Sequence, residues 1–284
     1  MIPGQFEYHR PDDLQAAVGL LSELGEDSRV IAGGHSLIPM MKLRLAMPEH
    51  LIDLGRIRDL RYIRVSAESV EIGAMTTQHE LINHTDLTNA VPIVKETALQ
   101  IADPQIRYQG TIGGNVANGD PGNDMPALMQ CLDASFTLVG PDGERTVKAR
   151  EFYEAAYFTA RDDLEILSAV SFPVTGGGYA YEKQKRKIGD YATAAAAVVL
   201  TMEDGKCAHA SLALTNLADT PIFCDSAAQL LVGSAVDTAT INQAVKSCID
   251  STEPVEDNRG PVEFKKHAAG MVTRRAIERA LSRC

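Results

Sequence analysis

The sequence predicts an α+β protein, in which alternating strands and helices are followed by an antiparallel sheet and further helices. Two observations predict this class. Up to about residue 176, short β-type runs alternate with apolar residues spaced three and four apart, which is the helical period. Beyond that point, three longer β-type runs with turn residues between them favour antiparallel pairing. We divide the chain into lobes at 1–55, 56–176 and 177–284.

The first lobe is typical of a small α/β unit. The predicted elements are strands at 6–9, 29–32 and 50–54 and helices at 14–24 and 37–43. Pro11-Asp12-Asp13 is a helix start, and Gly25 ends that helix. Ser36 is the expected N-cap of the second helix. Gly33-Gly34 therefore lies where helical N–H groups and the helix dipole favour an anion.

The second lobe mixes short strands with helices. The predicted elements are strands at 62–65, 69–74, 136–138, 146–147 and 165–172, a helix that follows Thr76-Thr77 through Leu81, and a helix over 91–101. We expect Asp103-Pro104 to end the second helix, and a second glycine loop to follow it. Pro141-Asp142-Gly143 predicts a hairpin turn.

The third lobe begins after Thr175-Gly176-Gly177-Gly178, which we interpret as a linker because consecutive glycines favour neither helix nor strand. The predicted elements are strands at 179–185, 192–202 and 209–214 and helices at 226–231, 238–249 and 262–283. A basic run begins in the first of these strands and is followed by Asp190-Tyr191; its members are Lys183, Lys185, Arg186 and Lys187. Such a run is usually a solvated strand face. Alternatively, one lysine turns toward a bound anion or ring, and Tyr191 covers a flat cofactor.

Composition limits the possible partners. The chain has 284 residues, enough for a substantial core, and its 27 Lys and Arg against 38 Asp and Glu give a net charge of -11. That charge argues against nucleic acid or an anionic membrane as the main partner. Any anion must therefore be bound locally.

Cysteine usage and the termini bear on location. The five cysteines are scattered and never form C-x-x-C, which fits a reducing compartment and excludes an iron-sulfur cluster held by this chain alone. We see no signal-peptide pattern at 1–5, and the longest apolar stretch, about 192–200, is too short for a bilayer. The prediction is a cytoplasmic protein, or one held peripherally at the inner membrane face through a complex.

Two apolar runs broken by paired glycines carry the main functional signal. The first glycine segment is Ile31-Ala32-Gly33-Gly34-His35-Ser36-Leu37, and the second is Thr111-Ile112-Gly113-Gly114-Asn115. Glycine allows positive φ and close approach of a ligand, and free backbone N–H groups cradle oxyanions. Two such segments would bracket one diphosphate; the alternative is that both are ordinary turns. The sequence contains neither G-x-G-x-x-G nor a P-loop.

Few other residues suggest chemistry. Asp124, in a turn-rich stretch after the second segment, either accepts hydrogen bonds from sugar or ribityl hydroxyls or caps a turn. His35-Ser36 is not a hydrolase site, since G-x-S-x-G is absent, and we interpret His35 as a donor beside an anion. The other histidines show no metal-binding spacing, so we predict no metal site.

Together, the two segments resemble those of the flavin-binding medium subunits of the molybdenum hydroxylases, the xanthine dehydrogenase family. The resemblance covers nearly the whole chain. It is strongest to the carbon monoxide dehydrogenase group of that family, through Ala102-Asp103-Pro104-Gln105-Ile106-Arg107-Tyr108 and the run from Lys183 to Ala192. These longer runs are far more specific than a Gly-Gly pair.

The resemblance implies the two-lobed FAD-binding fold of vanillyl-alcohol-oxidase-type flavoproteins, plus a C-terminal antiparallel-sheet-and-helix domain. It also implies where FAD is held: both glycine segments at the diphosphate, Leu167 at the adenine, and Lys183 and Tyr191 at the isoalloxazine. The implied FAD-binding residues are Ala32, Gly33, Gly34, His35, Ser36, Leu37, Ile101, Ala102, Thr111, Ile112, Gly113, Gly114, Asn115, Asp124, Leu167, Lys183 and Tyr191. No residue of this chain is implied as catalytic.

The implied activity is electron transfer. Carbon monoxide would be oxidised at a molybdenum-copper centre in a large subunit. Electrons would pass through two [2Fe-2S] clusters of a small subunit to FAD, and onward to a quinone or cytochrome. The expected assembly is a dimer of heterotrimers, a heterohexamer. The alternatives are the FAD subunit of a hydroxylase acting on a purine, nicotinate or an aldehyde, a free-standing flavin oxidase, or a cofactor-free assembly module.

Overall fold

The computed structural model describes residues 2–284, beginning with a parallel three-stranded sheet. Its elements are β1 (Glu7–His9), α1 (Leu14–Leu24), β2 (Ser28–Ile31), α2 (Leu37–Leu43) and β3 (His50–Asp53), with strand order β1-β3-β2. The Asp13 side chain accepts from the Ala16 N–H and starts α1. Ala17 and Leu21 then pack with Ile52 of β3. The predicted α/β unit is confirmed.

The second group of elements contains an antiparallel five-stranded sheet of order β4-β5-β10-β6-β7. Its elements are β4 (Ile63–Val65), β5 (Ser69–Gly73), α3 (Gln78–Asn83), α4 (Thr85–Ala90), α5 (Pro92–Ala98), α6 (Pro104–Gln109), α7 (Ile112–Ala117), α8 (Asp124–Cys131), β6 (Ser135–Gly140), β7 (Gly143–Lys148), β8 (Tyr153–Ala155), β9 (Phe158–Thr159) and β10 (Ile166–Pro173). The hairpin predicted at 141–143 joins β6 to β7. The six helices α3 to α8 all lie between β5 and β6 in sequence.

The third group forms an antiparallel sheet of order β11-β12-β13-β14 with three helices. Its elements are β11 (Gly178–Gln184), β12 (Ala194–Glu203), β13 (Lys206–Thr215), β14 (Ile222–Phe223), α9 (Asp225–Leu231), α10 (Thr238–Asp250) and α11 (Val262–Leu281). The antiparallel strands and the C-terminal helices are confirmed.

Strand β12 explains the longest apolar stretch of the sequence. Ala196 and Val198 pack in the core beneath α11, whereas Ala197 and Val199 pack in the core of the preceding elements. Successive side chains of a strand point to opposite faces, so a strand that is buried on both faces is continuously apolar. The third sheet is therefore joined to the second group by a shared hydrophobic core.

One local prediction is confirmed in position only, and two are wrong. Ser36 is the N-cap residue of α2, but its side chain makes no capping bond, since its backbone is already helical at φ -97° and ψ -50°. The helix predicted over 91–101 ends at Ala98, and Asp103-Pro104 starts α6, because the Asp103 carboxylate accepts from the Ile106 N–H. The second glycine segment is a helix, α7, and not a loop.

The linker prediction also needs correction. Gly178 belongs to β11, and a Cβ at this position would lie 1.9 Å from the Ala280 carbonyl oxygen of α11. Gly177 has a φ of +99°, which favours glycine. These two glycines are therefore constrained by packing and backbone geometry. The domain boundaries at 55 and 176 stay a prediction.

Across residues 2–284, we find no helix that combines the length and the apolar character required to cross a bilayer.

Candidate functional site

A cleft of about 550 Å³ lies where residues of all three groups of elements meet. The predicted FAD-binding residues that line it are Ala32, Gly33, Gly34, His35, Ser36, Leu37, Ile101, Ala102, Thr111, Gly113, Gly114, Asn115, Asp124, Leu167, Lys183 and Tyr191. Ile112 does not line the cleft, because its side chain is fully buried in the core. The structure thus brings together residues that are far apart in the sequence.

The first glycine segment turns between β2 and α2 with free backbone donors. Gly34 has a φ of +74°, and its carbonyl accepts from the Ile38 N–H at 2.9 Å. No acceptor within residues 2–284 takes the N–H groups of Gly33, Gly34, His35 or Ser36. A row of unpaired N–H groups at a left-handed turn is the geometry that binds phosphate oxygens.

Gly33 allows this segment to pack closely against the connection between α6 and α7. A Cβ at Gly33 would lie 2.4 Å from the Gln109 carbonyl oxygen and 2.9 Å from the Gly110 Cα. No real Cβ tolerates such distances without movement of the backbone. Glycine is thus required here for packing, and the cradle formed by residues 33–36 depends on it.

The second glycine segment differs from the first, because the N–H groups of residues 112–114 already donate hydrogen bonds within the protein. The Ile112 N–H donates to Thr76 O and the Gly113 N–H to Ala74 O, both at 2.9 Å. The Gly114 N–H donates to the Thr111 hydroxyl at 3.1 Å, which caps α7. We therefore correct one expectation: this segment offers a close approach to the cleft, and the free donors belong to the first segment.

The two glycine segments nevertheless lie side by side. A Cβ at Gly114 would be 3.6 Å from the Ala32 Cβ, an ordinary van der Waals distance. Similarly, a Cβ at Gly110 would be 3.8 Å from His35 Cδ2. The prediction that both segments border one part of the cleft agrees with these distances.

Asp124, at the start of α8, is bonded to two residues of β11. The Lys183 ammonium donates to Asp124 Oδ2 at 2.8 Å and to the Gln100 carbonyl at 3.2 Å. The Tyr181 hydroxyl donates to Asp124 Oδ1 at 2.6 Å. Burial raises the pKa of Asp124, although Lys183 and Tyr181 act in the opposite direction. Burial, with Asp124 beside it, raises the pKa of Tyr181 well above its ordinary value, so the hydroxyl remains a donor.

Ile101 and Ala102 are held by a residue that sequence reasoning did not assign to the site. The Arg107 guanidinium donates to Ile101 O at 2.9 Å and to Ala102 O at 3.4 Å. Ala102 has a φ of +42°, which is rare for a residue with a Cβ. The loop that carries Gly189 also approaches Ala102, since a Cβ on Gly189 would lie 3.3 Å from Ala102 O. This strained turn is thus fixed on two sides.

Tyr191 is 42 % exposed at the edge of the cleft. A Cβ at Gly122 would lie 3.0 Å from Tyr191 Cδ1, so the ring packs over the turn after α7. Burial and the nearby Asp120 raise the pKa of Tyr191, and the same causes raise the pKa of Tyr157 to about 12. Both phenols are therefore neutral at physiological pH.

Leu167 lines the cleft together with Arg161 and Glu165, which sequence reasoning did not assign to the site. Arg161 donates to Glu165 O at 2.8 Å, and the Glu165 carboxylate accepts from Arg145 Nε at 2.5 Å. The Arg145 hydrogen bond holds the pKa of Glu165 below its usual range, although burial opposes it. The loop at 161–165, which borders the cleft, is therefore held in place by the hydrogen bonds of Arg161 and Arg145 to Glu165.

Gln78, the first residue of α3, also lines the cleft and was not predicted. It is 1 % exposed, yet neither Nε2 nor Oε1 has a hydrogen-bond partner within residues 2–284. Nearly all buried amides in native proteins are paired. No sequence signal marked this residue, because a glutamine at the first position of a helix usually faces solvent.

Away from the cleft, Glu7 and His9 of β1 converge with His50 of β3. His9 Nε2 lies 3.1 Å from His50 Nδ1, and His50 Nδ1 lies 3.5 Å from Glu7 Oε2. Sequence reasoning did not predict this group, since His50 reaches Glu7 and His9 through the pairing of β3 with β1. His9 Nε2 and His50 Nδ1 are therefore hydrogen-bonded to each other.

The cleft fits a dinucleotide such as FAD on chemical grounds. It offers free backbone N–H groups for a diphosphate, the unpaired Gln78 amide, the Lys183 ammonium and the neutral phenol of Tyr191. These donors belong to different elements that the fold holds close together.

Comparisons with known proteins agree with this assignment. The family model described as the FAD binding domain in molybdopterin dehydrogenase matches residues 4–175, and that of the CO dehydrogenase flavoprotein C-terminal domain matches residues 179–280. The carbon monoxide dehydrogenase medium chain of Afipia carboxidovorans is 60 % identical, and the match covers 100 % of this chain and 99 % of that relative. The medium chain of Hydrogenophaga pseudoflava is 45 % identical, and the match covers 100 % of both chains. A chain in the structure of reconstituted CO dehydrogenase from Oligotropha carboxidovorans superposes with a TM-score of 0.99 at 59 % identity, with both chains fully covered.

Proposed function

Because this chain belongs to the family of FAD-binding medium chains of the molybdenum hydroxylases, with carbon monoxide dehydrogenase medium chains among its relatives, we propose that it is the electron-transferring flavin subunit of a carbon monoxide dehydrogenase. It is an oxidoreductase subunit, and its cofactor is FAD. The single observation that carries the site assignment is the row of free N–H groups from Gly33 to Ser36.

We propose that the diphosphate lies along that row, with the second glycine segment beside it. His35 would add a donor beside the anion, and Ala32 and Leu37 would flank it. Leu167 and the loop ordered by Glu165 would border the adenine end. The Asp124–Lys183 pair and Tyr191 would border the isoalloxazine, with Ile101 and Ala102 nearby.

FAD, when bound, accepts and releases electrons; the chain's residues set its position and exclude water. The Lys183 ammonium, held by Asp124 Oδ2 and Gln100 O, would border the bound flavin as part of an ion pair. Tyr181 and Tyr191 remain protonated at neutral pH, because their pKa values are raised, so neither phenol adds a negative charge beside the flavin. Tyr191, whose ring packs over the turn at Gly122, would cover one side of the bound flavin.

We propose that electrons from carbon monoxide oxidation reach this subunit through two [2Fe-2S] clusters of a small partner and leave to a quinone or cytochrome. The molybdenum-copper centre would belong to a large partner, and two heterotrimers would form a heterohexamer. The medium-chain relatives support the existence of such partners. The five free cysteines of this chain support a cytoplasmic location for the complex, which would meet the inner membrane face only peripherally.

The test is a double variant of the complex, Gly33→Val with Gly114→Val. Both side chains would clash, at 2.4 Å from Gln109 O and 2.9 Å from the Thr111 hydroxyl. We expect the variant complex to lose FAD and acceptor reduction, while carbon monoxide still reduces the metal centres. Retention of FAD and of acceptor reduction would overturn the assignment of the glycine segments. If the unmodified complex releases no FAD on denaturation, the proposed function fails.

A hydroxylase of the same family with another substrate is the second candidate. The cleft described here holds the electron carrier and not the substrate, so its residues do not distinguish the two. Reduction of the purified complex by carbon monoxide, compared with a purine, nicotinate and an aldehyde, decides between them. Reduction by an organic substrate alone would replace the first proposal with the second.

A further inference from the structure

Gln78 is a buried residue of the cleft whose side-chain amide has no hydrogen-bond partner. Its carboxamide is buried at 1 % exposure, lines the cleft, and has no partner for nitrogen or oxygen within residues 2–284. Unpaired buried amides are rare in native proteins. An unpaired amide at the wall of a binding cleft indicates that its partner is the ligand.

The backbone holds Gln78 firmly in this position. Its N–H donates to the Gly110 carbonyl at 2.9 Å, immediately before the second glycine segment. The preceding Thr77 pairs with Thr111 in an isolated bridge and forms a capping box with Glu80. The α carbon of Gln78 is therefore fixed beside the cleft, and ligand binding requires no rearrangement of α3.

The chemistry of the amide restricts which part of a ligand it meets. A carboxamide has two donor hydrogens and one acceptor oxygen. Phosphate oxygens only accept, so a diphosphate would leave Oε1 unpaired, and the Gly33–Ser36 row already provides donors for it. A hydroxyl, or a ring edge in which N–H and C=O are adjacent, satisfies both atoms.

We infer that Gln78 is a further FAD-binding residue, which recognises a group that donates and accepts at once: the amide edge of the isoalloxazine or a ribityl hydroxyl. This inference rests on the proposed function, and it assigns the residue to the non-phosphate part of the cofactor.

The test is Gln78→Met in the full chain, which keeps the shape of the side chain and removes its polar atoms. Two opposite effects are expected. The melting temperature without FAD should rise, because an unpaired amide is replaced by an apolar group. The dissociation constant for FAD, measured by titration of flavin fluorescence, should increase at least tenfold, because two hydrogen bonds are lost.

The matched control is Gln130→Met. Gln130 is 4 % exposed and its Oε1 is also unpaired, but its Nε2 donates to the Ala149 carbonyl at 3.4 Å and it does not line the cleft. We expect this variant to change the melting temperature without changing the dissociation constant for FAD. Equal weakening of FAD binding in both variants would mean that core packing alone is responsible, which overturns the inference.

The remaining outcomes are also decisive. If Gln78→Met binds FAD as tightly as the unmodified chain, the inference fails while the proposed function stands. If the unmodified chain and complex take up no FAD, the proposed function itself fails. If Gln78→Met does not fold, Gln78→Ala, which removes the amide without adding an apolar chain, takes its place, and unchanged FAD binding in that variant overturns the inference.

Discussion

The Lys183 ammonium and the Asp124 carboxylate form an ion pair at 2.8 Å with side chains only 1 % and 6 % exposed. The pair joins β11 to α8 at the floor of the cleft. An ion pair buried to this extent is strongly destabilised when only one partner is removed, because the other charge stays buried without compensation. It is therefore a structural link between α8 and the third sheet as well as part of the candidate site.

We predict that Lys183→Met lowers the free energy of unfolding by about 3–5 kcal/mol at pH 7. Burial raises the pKa of Asp124, so without Lys183 the folded state favours the protonated acid. A raised folded-state pKa contributes stability at low pH that is lost as the pH rises, so the defect should grow from pH 4 to pH 7. Urea unfolding across this range measures it. Adding Asp124→Asn should recover part of the loss, whereas Arg64→Met, in an exposed pair with Glu71, should cost at most about 1 kcal/mol.

The glycine run at 176–178 provides a pair of matched substitutions. Gly178→Ala would place a Cβ 1.9 Å from the Ala280 carbonyl, so we expect a loss of about 3 kcal/mol or more as β11 and α11 separate. Gly176→Ala has nothing within 4 Å and should change stability by less than about 0.5 kcal/mol. Thermal unfolding of both variants makes the comparison. Equal effects would mean that the run is an unconstrained linker after all.

Glu165 should give the loop at 161–165, which borders the cleft, a pH-dependent stability. The Arg145 hydrogen bond, against the effect of burial, lowers its pKa from the ordinary value of 4.5. The stability from its ionised form is therefore complete above pH 4.5 and is lost as the pH falls through the lowered value. Glu165→Gln should cost about 1–2 kcal/mol at pH 7 and progressively less below pH 4. The exposed Glu23→Gln is the control, and an unchanged difference at all pH values would contradict the prediction.

Gly33→Ala tests the close approach of the first glycine segment to α6. Because the new Cβ would lie 2.4 Å from Gln109 O, the segment must shift, and we expect about 1–3 kcal/mol lower stability with weaker FAD binding. Gly19→Ala, in α1 with nothing within 4 Å, should instead raise stability by about 0.5–1 kcal/mol. Unfolding curves and FAD titration separate the two. Undiminished FAD binding in Gly33→Ala would show that the N–H row tolerates displacement.

The sequence predicted elements whose signals are local. Asp13 followed by apolar residues at helical spacing is sufficient for α1, and continuous alanine and valine in β12 follow from burial on both faces. Pro104 was misjudged because proline both ends helices and occupies their first turn, and only the Asp103 cap distinguishes the two.

In the candidate site, too, sequence reasoning found the residues whose signal is local and missed those whose role depends on tertiary packing. The first glycine segment was found because a strand, paired glycines and a helix are adjacent in sequence. The second was mistaken for a loop, since the acceptors of its N–H groups, Thr76 O and Ala74 O, come from a distant turn. Gln78 and Arg107 escaped notice because their roles depend on which side of a short helix the tertiary packing covers.

One ionic cluster has a consequence for biosynthesis. Glu96 of α5 accepts from Tyr181 N at 2.6 Å, from Arg279, which is 183 residues later in the chain, and from Arg283 at 2.8 Å, which is 187 residues later. The Tyr181 bond links β11 to α5 directly, but the two arginines complete the cluster only after α11 has been translated and has emerged from the ribosome. Insertion of the flavin should therefore be a post-translational step, so nascent chains arrested before α11 should carry none.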